Sequence, residues 1–271
     1  MVKGNSSNRD SWSIPTNWQS GQVPSPNENV IISEGLTAQV ENSQPEPYSG
    51  SLILKKNSQL ILWGDHNLDA LLKTPSGIMM HESSCIILGT AEEVNFGPIE
   101  LIENASVHGG TSTNGHGGIR KFSGEIKGGG KFSLNGVNRN QFRFETANTF
   151  TGGLMAHSTQ NEPFYLVAAA DSSFGTGNVN LKENSSLIIE ANLNDTIANT
   201  STLSLEGVGS LRINGGGADP NKLYKLLLQS DETVAGFFID GVDQGEGRFS
   251  GETHPAITGP GKLIVKRSDD N

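Results

Sequence analysis

The sequence predicts an all-β solenoid, a single domain in which short strands coil repeatedly around one apolar core. Three observations point there. Residues 205–213 read LEGVGSLRI, and the frame apolar-x-Gly-x-Gly-x-apolar-x-apolar returns ungapped as IKGGGKFSL at 126–134 and ITGPGKLIV at 257–265. One nucleotide site does not need three copies of its phosphate loop, whereas a coil that turns the same corner repeatedly does. A second phrase joins a polar turn to a short strand: NSQLILWG at 57–64, ESSCIILG at 82–89 and NSSLIIEA at 184–191. Aligning Ser58 with Ser83 gives an offset of 25 residues, and the related ENASVHG begins at Glu103, about 20 residues further on, the length of a solenoid coil. The third observation is compositional. Glycine supplies 34 of 271 residues and aromatic residues only 6%, a balance that favours many short strands and tight turns over long helices.

Taken in order, residues 1–35 read as an N-terminal cap and first strand. Two tryptophans, Trp12 and Trp18, stand among prolines, and solenoid ends need covering because they expose core and unpaired strand edges. Trp63 fits either a cap or a sugar-stacking role. Coils follow over 36–230. Alternation survives as FSL at 132–134, VNL at 179–181, LSL at 203–205 and LRI at 211–213, with the outer two residues of each pointing inward. The shared NSSLII phrase places Leu187 and Ile189 in the interior. Residues 221–230, NKLYKLLLQS, suit either a helix with Leu223, Leu226 and Leu227 on one face or a buried strand. A closing segment spans 231–267 and a tail 268–271. Gly128, Gly130, Gly207, Gly209, Gly259 and Gly261 are expected to permit the tight bends and positive φ values between strands. Cys85, the single cysteine, excludes an internal disulfide and reads as a small core hydrophobe.

A formal charge of −10 argues against a nucleic-acid partner, since phosphate binding depends on clustered Lys and Arg. No stretch approaches the ~20 apolar residues that a membrane helix needs, so no membrane insertion is expected. MVKGNSSNRD lacks the apolar middle of a signal peptide, and export therefore requires a leader outside these residues.

The opening W-x5-W-x2-G-x-V-P-x5-VII resembles the start of bacterial secreted β-helix proteins. NTFTGGL at 148–154, followed by DSSFGTGNVNLKENSSLII at 171–189, is similar to the autotransporter-associated β-strand repeat, and AGFFIDGVDQGEGRFSGETHPAITGPGKLIV to the closing segment of the same surface proteins. The resemblance covers 12–32, 121–213 and 234–265. It implies a right-handed parallel β-helix at the bacterial cell surface or in the medium, often as part of something larger.

Because many β-helices are polysaccharide lyases or hydrolases, the acid and base inventory matters. A hydrolase needs two carboxylates held together, and the only close aspartates, Asp269 and Asp270, lie in the tail. A lyase needs a base and a cation to neutralise a uronate. His108, His116, Arg120 and Lys121, gathered in ASVHGGTSTNGHGGIRK, are the alternative catalytic candidates, and the expectation set against them is a glycine-rich surface loop without catalytic duty. No cofactor is expected. The two histidines lack a third metal ligand nearby, while calcium stays open at Asp171, Asp195, Asp219, Asp240 and Asp243. The residues thus predict a noncatalytic extracellular scaffold or adhesion module, with other copies of itself or a polysaccharide as partners. The alternative is a polysaccharide-active enzyme.

Overall fold

The computed structural model describes residues 10–41, 49–63, 72–89, 93–110, 118–137, 139–158, 164–182, 184–207 and 226–267. They form parallel strands stacked in three columns around one core. The long column contains ten parallel strands, from Asp10–Ser11 through Thr37–Glu41, Gln59–Trp63, Ser84–Leu88 and onward to Gly236–Ile239. A middle column runs from Glu93–Phe96 to Ile257–Thr258, and a short one from Val30–Ile32 to Ile126–Gly128. One coil visits them in turn: Ile99–Leu101 in the short column, Ala105–His108 in the long and Ile119–Phe122 in the middle. The expected solenoid is present. Ten strands at ~4.8 Å make a stack about 45 Å tall.

Period-two alternation fills the interior. Leu187 and Ile189 are 0% and 1% exposed, and the predicted inward pairs Phe132 and Leu134, Val179 and Leu181, and Leu203 and Leu205 are all buried. Phe96, Phe122, Phe144 and Phe174 ascend the core with ring centroids 4.9, 4.8 and 5.1 Å apart. Such offset and edge contacts add about 0.5–1.5 kcal/mol per pair beyond burial. Within 221–230 the described part, Leu226–Leu228, is a strand with Leu226 and Leu228 inward; 221–225 and the LRI at 211–213 lie outside the described residues.

The corners correct the period. Strand register pairs Gln59 with Cys85 and Leu60 with Ile86, so Ser58 stands over Ser84 and the true offset is 26. Asn57, Ser83 and Asn184 adopt left-handed φ of 57°, 58° and 56° and turn the chain into the strand that follows. The phrase marks a corner, not a place in the coil: Asn57 and Ser83 lead into the long column, Asn184 into the middle one.

The Gly-x-Gly pairs likewise divide their labour. Gly128, Gly207 and Gly259 take φ of 108°, 66° and 92°. Gly130 and Gly261 have no positive φ, which corrects the expectation for those two. They are glycine because a Cβ would run into the carbonyls of Glu103 and Ser230 on the coil beneath. Gly209 lies outside the described residues.

NTFTGGL replaces a regular strand of the short column above Ile126–Gly128. Asn148 is 2% exposed; its Oδ1 accepts from Ile126 N–H (2.6 Å) and its Nδ2 donates to the Ser173 carbonyl (2.6 Å), bridging the coils on either side. Thr149 and Thr151 donate backbone N–H groups to Ile126 and Gly128, Phe150 enters the core, and Gly153 turns at φ 87°.

Both ends are covered. Trp12 and Trp18 pack edge to face at 4.8 Å beneath the first coil, and Trp18 Nε1 donates to the Trp12 carbonyl. At the other end Val242–Asp243 pairs antiparallel with Gly236–Ile239, and Gly247–Phe249 with Leu263–Val265.

Candidate functional site

Alternation that turns every second side chain inward turns the others out, so each column carries outward rows spaced by one coil. On the long column one row runs Ile61, Ile87, His108, Asn135, His157. His108 is partly buried, and burial first, then the neighbouring His157, hold its imidazole below the ordinary value.

Of the predicted cluster at 108–121, His108, Arg120 and Lys121 lie in strands. Residues 111–117, with His116, lie outside the described residues, but what flanks them is strand: Ala105–His108 in the long column and Ile119–Phe122 in the middle. In IRKF the inward positions are Arg120 and Phe122, so Arg120 enters the interior at 0% exposure, and burial lowers its guanidinium to about 10. Lys121 faces out from the middle column and pairs with Glu93 at 2.6 Å. His108 thus stands outside one column, Arg120 inside another and Lys121 beyond it. These three do not converge on a common point. The loop reading came from glycine content; at His108 and at 119–121 strand takes its place, and 111–117 lie outside the described residues.

Among the described residues several outward charges are paired, largely from coil to coil. Lys56 meets Glu82 at 2.6 Å, Lys182 meets Glu206 at 3.3 Å, and Arg143 grips both oxygens of Glu190 at 2.5 and 2.9 Å while touching Glu145 at 3.1 Å. Two of the aspartates considered for calcium, Asp171 and Asp240, serve corners. Asp171 Oδ1 accepts from Asn194 N–H (2.8 Å), Asp240 Oδ1 from Gly207 N–H (2.6 Å), and Asp243 pairs with Arg267; Asp195 stands near Asp171, and Asp219 lies outside the described residues. No group of three or more His, Cys, Asp or Glu side chains is arranged to hold a metal among the described residues.

Two other features face solvent. Trp63 is 38% exposed on the outer surface of the long column, its ring laid so closely over Gly89 that a Cβ there would lie 2.7 Å from Cε3. On the short column Ile53, Met79, Pro98, Glu100 and Lys127 line a groove of about 150 Å³, below the ~300 Å³ at which small-molecule sites begin. Cys85 is buried with its thiol pushed up to about 11 by desolvation, although the register turns it outward beside Ser106.

The sequence reading passed over Glu232, a carboxyl 1% exposed that accepts three hydrogen bonds. Its signal was available, since ETV alternates and a buried Val234 puts Glu232 on the same side. The His108, Asn135, His157 row was not readable, because it depends on register between strands over 20 residues apart. No known protein family matches the chain, and neither a curated protein nor a solved structure matches it.

Proposed function

We propose that the chain is an extracellular structural or adhesion module, akin to the bacterial β-helix surface proteins with autotransporter-type repeats, that works through the flanks of its stack. One observation carries this reading: among the described residues the ion pairs Lys56–Glu82, Lys121–Glu93, Lys127–Glu100, Arg143–Glu190 and Lys182–Glu206 run from coil to coil along the stack. A corner unit such as NTFTGGL, whose every residue has a structural task, also fits a scaffold. A ligand in this reading is an extended polymer such as a polysaccharide lying along the outward rows. Association with other copies would use the flanks, because an antiparallel strand already occupies the edge of the long column at the C-terminal end, and Gly247–Phe249 lies antiparallel along the last strand, Leu263–Val265.

The test is to pass fluorescent chain over immobilised acidic and neutral polysaccharides and over bacterial and host cell surfaces, while assaying the same polymers for new reducing ends and unsaturated uronate. Saturable retention without cleavage is the expected result. Depolymerisation lost on His116→Ala or His108→Ala overturns the proposal in favour of a lyase. Light scattering across a concentration series reads self-association separately.

A further inference from the structure

Between the strands Thr202–Leu205 and Leu226–Leu228, residues 208–225 lie outside the described residues. Elsewhere side chains that link successive coils reach between residues such as Asn29 and Ser51, or Asn140 and Gly110, 22 and 30 positions apart. Across this step the separations rise to between 35 and 40. Contacts separated by more chain cost slightly more entropy to close, and the closing segment has side-chain fixings to the coil beneath.

Two side chains supply them. Ser230 Oγ accepts from Leu193 N–H (3.2 Å) and donates to the Glu190 carbonyl (3.0 Å). Glu232 Oε2 accepts from the N–H (3.0 Å) and hydroxyl (2.7 Å) of Thr196, and its Oε1 from Ile197 N–H (3.0 Å). The backbone N–H of Glu232 donates to the Lys262 carbonyl (2.9 Å), which ties the same residue to the last coil. Asp231, beside it, is engaged by Lys262 N–H.

The carboxylate suits three donors, yet the charge acting on it is another carboxylate, Asp195, itself raised by burial and by Asp171. A proton also has a place to go. The Thr196 hydroxyl can rotate from donor to acceptor, taking a hydrogen bond from a protonated Oε2 while Oε1 keeps Ile197 N–H. Both protonation states are therefore built into one arrangement of heavy atoms.

We propose that Glu232 is a proton-operated clasp that holds the closing segment in register on the coil beneath. Burial, the largest influence, outweighs the three hydrogen bonds and raises the carboxyl from 4.5 to about 7. The folded state then binds the proton more tightly than the unfolded chain. The clasp is at full strength below about pH 4.5, weakens as pH rises and is spent above about pH 7, a change on the order of a hundredfold in the closing equilibrium. Asp195 acts in the same direction. His108, His157 and His254, all lowered by burial, act oppositely by withdrawing stability as pH falls. Whole-chain melting mixes the two, so a local measurement is needed.

In the intact chain labelled with ¹³C-carboxyl glutamate, the resonance that Glu232→Gln removes is expected to titrate near pH 7. Hydrogen exchange at 194–201 and 232–236, corrected for intrinsic rates, is expected to lose roughly a hundredfold of protection between pH 5 and 8. Glu232→Gln should flatten that dependence. Titration in the ordinary glutamate range, or the same pH dependence in the variant, overturns the proposal. Should Glu232→Gln fail to fold, Thr196→Val decides: the hydroxyl's bond to the ionised carboxyl is charge-assisted and stronger than the one it makes to the protonated form, so its loss must move the midpoint upward, and an unmoved midpoint refutes the clasp.

Discussion

Neighbouring glycines in the turn 128–130 make opposite demands, and that contrast can be measured. At Gly129 an added Cβ meets nothing within 4 Å, and the φ is not left-handed. Gly129→Ala should be neutral or stabilise by about 0.4–1 kcal/mol through the unfolded chain. One residue on, a Cβ at Gly130 falls well inside 3.0 Å of the Glu103 carbonyl, a backbone atom that cannot swing aside. Relief requires lifting the corner off the coil beneath, which strains the bonds from Gly130 N–H to the Leu101 carbonyl (3.1 Å) and from Lys131 N–H to Asn104 Oδ1 (2.9 Å). Overpacking at about 1–3 kcal/mol and roughly 1 kcal/mol for each of the two weakened bonds bring Gly130→Ala to about 4 kcal/mol of destabilisation. At roughly 2–4 °C per kcal/mol for a chain of this size, the two variants should melt about 8–16 °C apart. Calorimetry gives the gap, and hydrogen exchange at Lys131 and Phe132 localises it, which matters because stacked coils need not unfold in one step. If Gly130→Ala falls within about 1 kcal/mol of Gly129→Ala, close coil approach is not why glycine stands at 130.

Leu187→Asp, placing an unpaired charge at a fully buried site between Leu166 and Leu226, should cost several kcal/mol, and Leu187→Ala about 3–5 by loss of packing; an unchanged melting curve for Leu187→Asp would mean the register is wrong. Cys85, 6% exposed with its thiol raised to about 11, should resist alkylation at pH 7.5 until denaturant is added, and rapid labelling of native protein would contradict its placement. Trp18→Ala should release Trp12 and raise exchange at residues 38–40 by tenfold or more while leaving 179–189 protected; uniform loosening would mean the indole pair is not a local cap.

What the sequence disclosed was the corner and the strand behind it. Left-handed Asn57 and Asn184 and the glycines at 128, 207 and 259 carry strong local chemistry, and short alternating strands such as VNL place their own side chains. The assignment of each corner to a column was not disclosed, because the same phrase serves two columns and its position depends on how much chain each coil spends in its loops. Matching Ser58 to Ser83 slipped the alignment by one residue, because the left-handed corner position is held by Asn57 in one coil and by Ser83 in the next. Arg120 was hidden too: glycine-rich surroundings suggested a loop, whereas four residues of strand sufficed to turn its side chain into the interior. Glu232 was missed for a related reason, since a carboxyl is expected outside and only its alternation with Val234 says otherwise.

The hydrogen bonds between coils lie along the long axis of the stack, and the strands Asp10–Ser11 and Leu263–Val265 stand toward opposite ends of it. Tension applied through the two ends of the chain therefore meets those bonds head-on, a few at a time, and does not shear a whole row together. A tethered molecule would yield by peeling from an extremity, with the interlocked indoles resisting at one end and the antiparallel strands at the other. The middle coils, each bearing on neighbours above and below, would survive as the seed on which the peeled chain rewinds once the load is released.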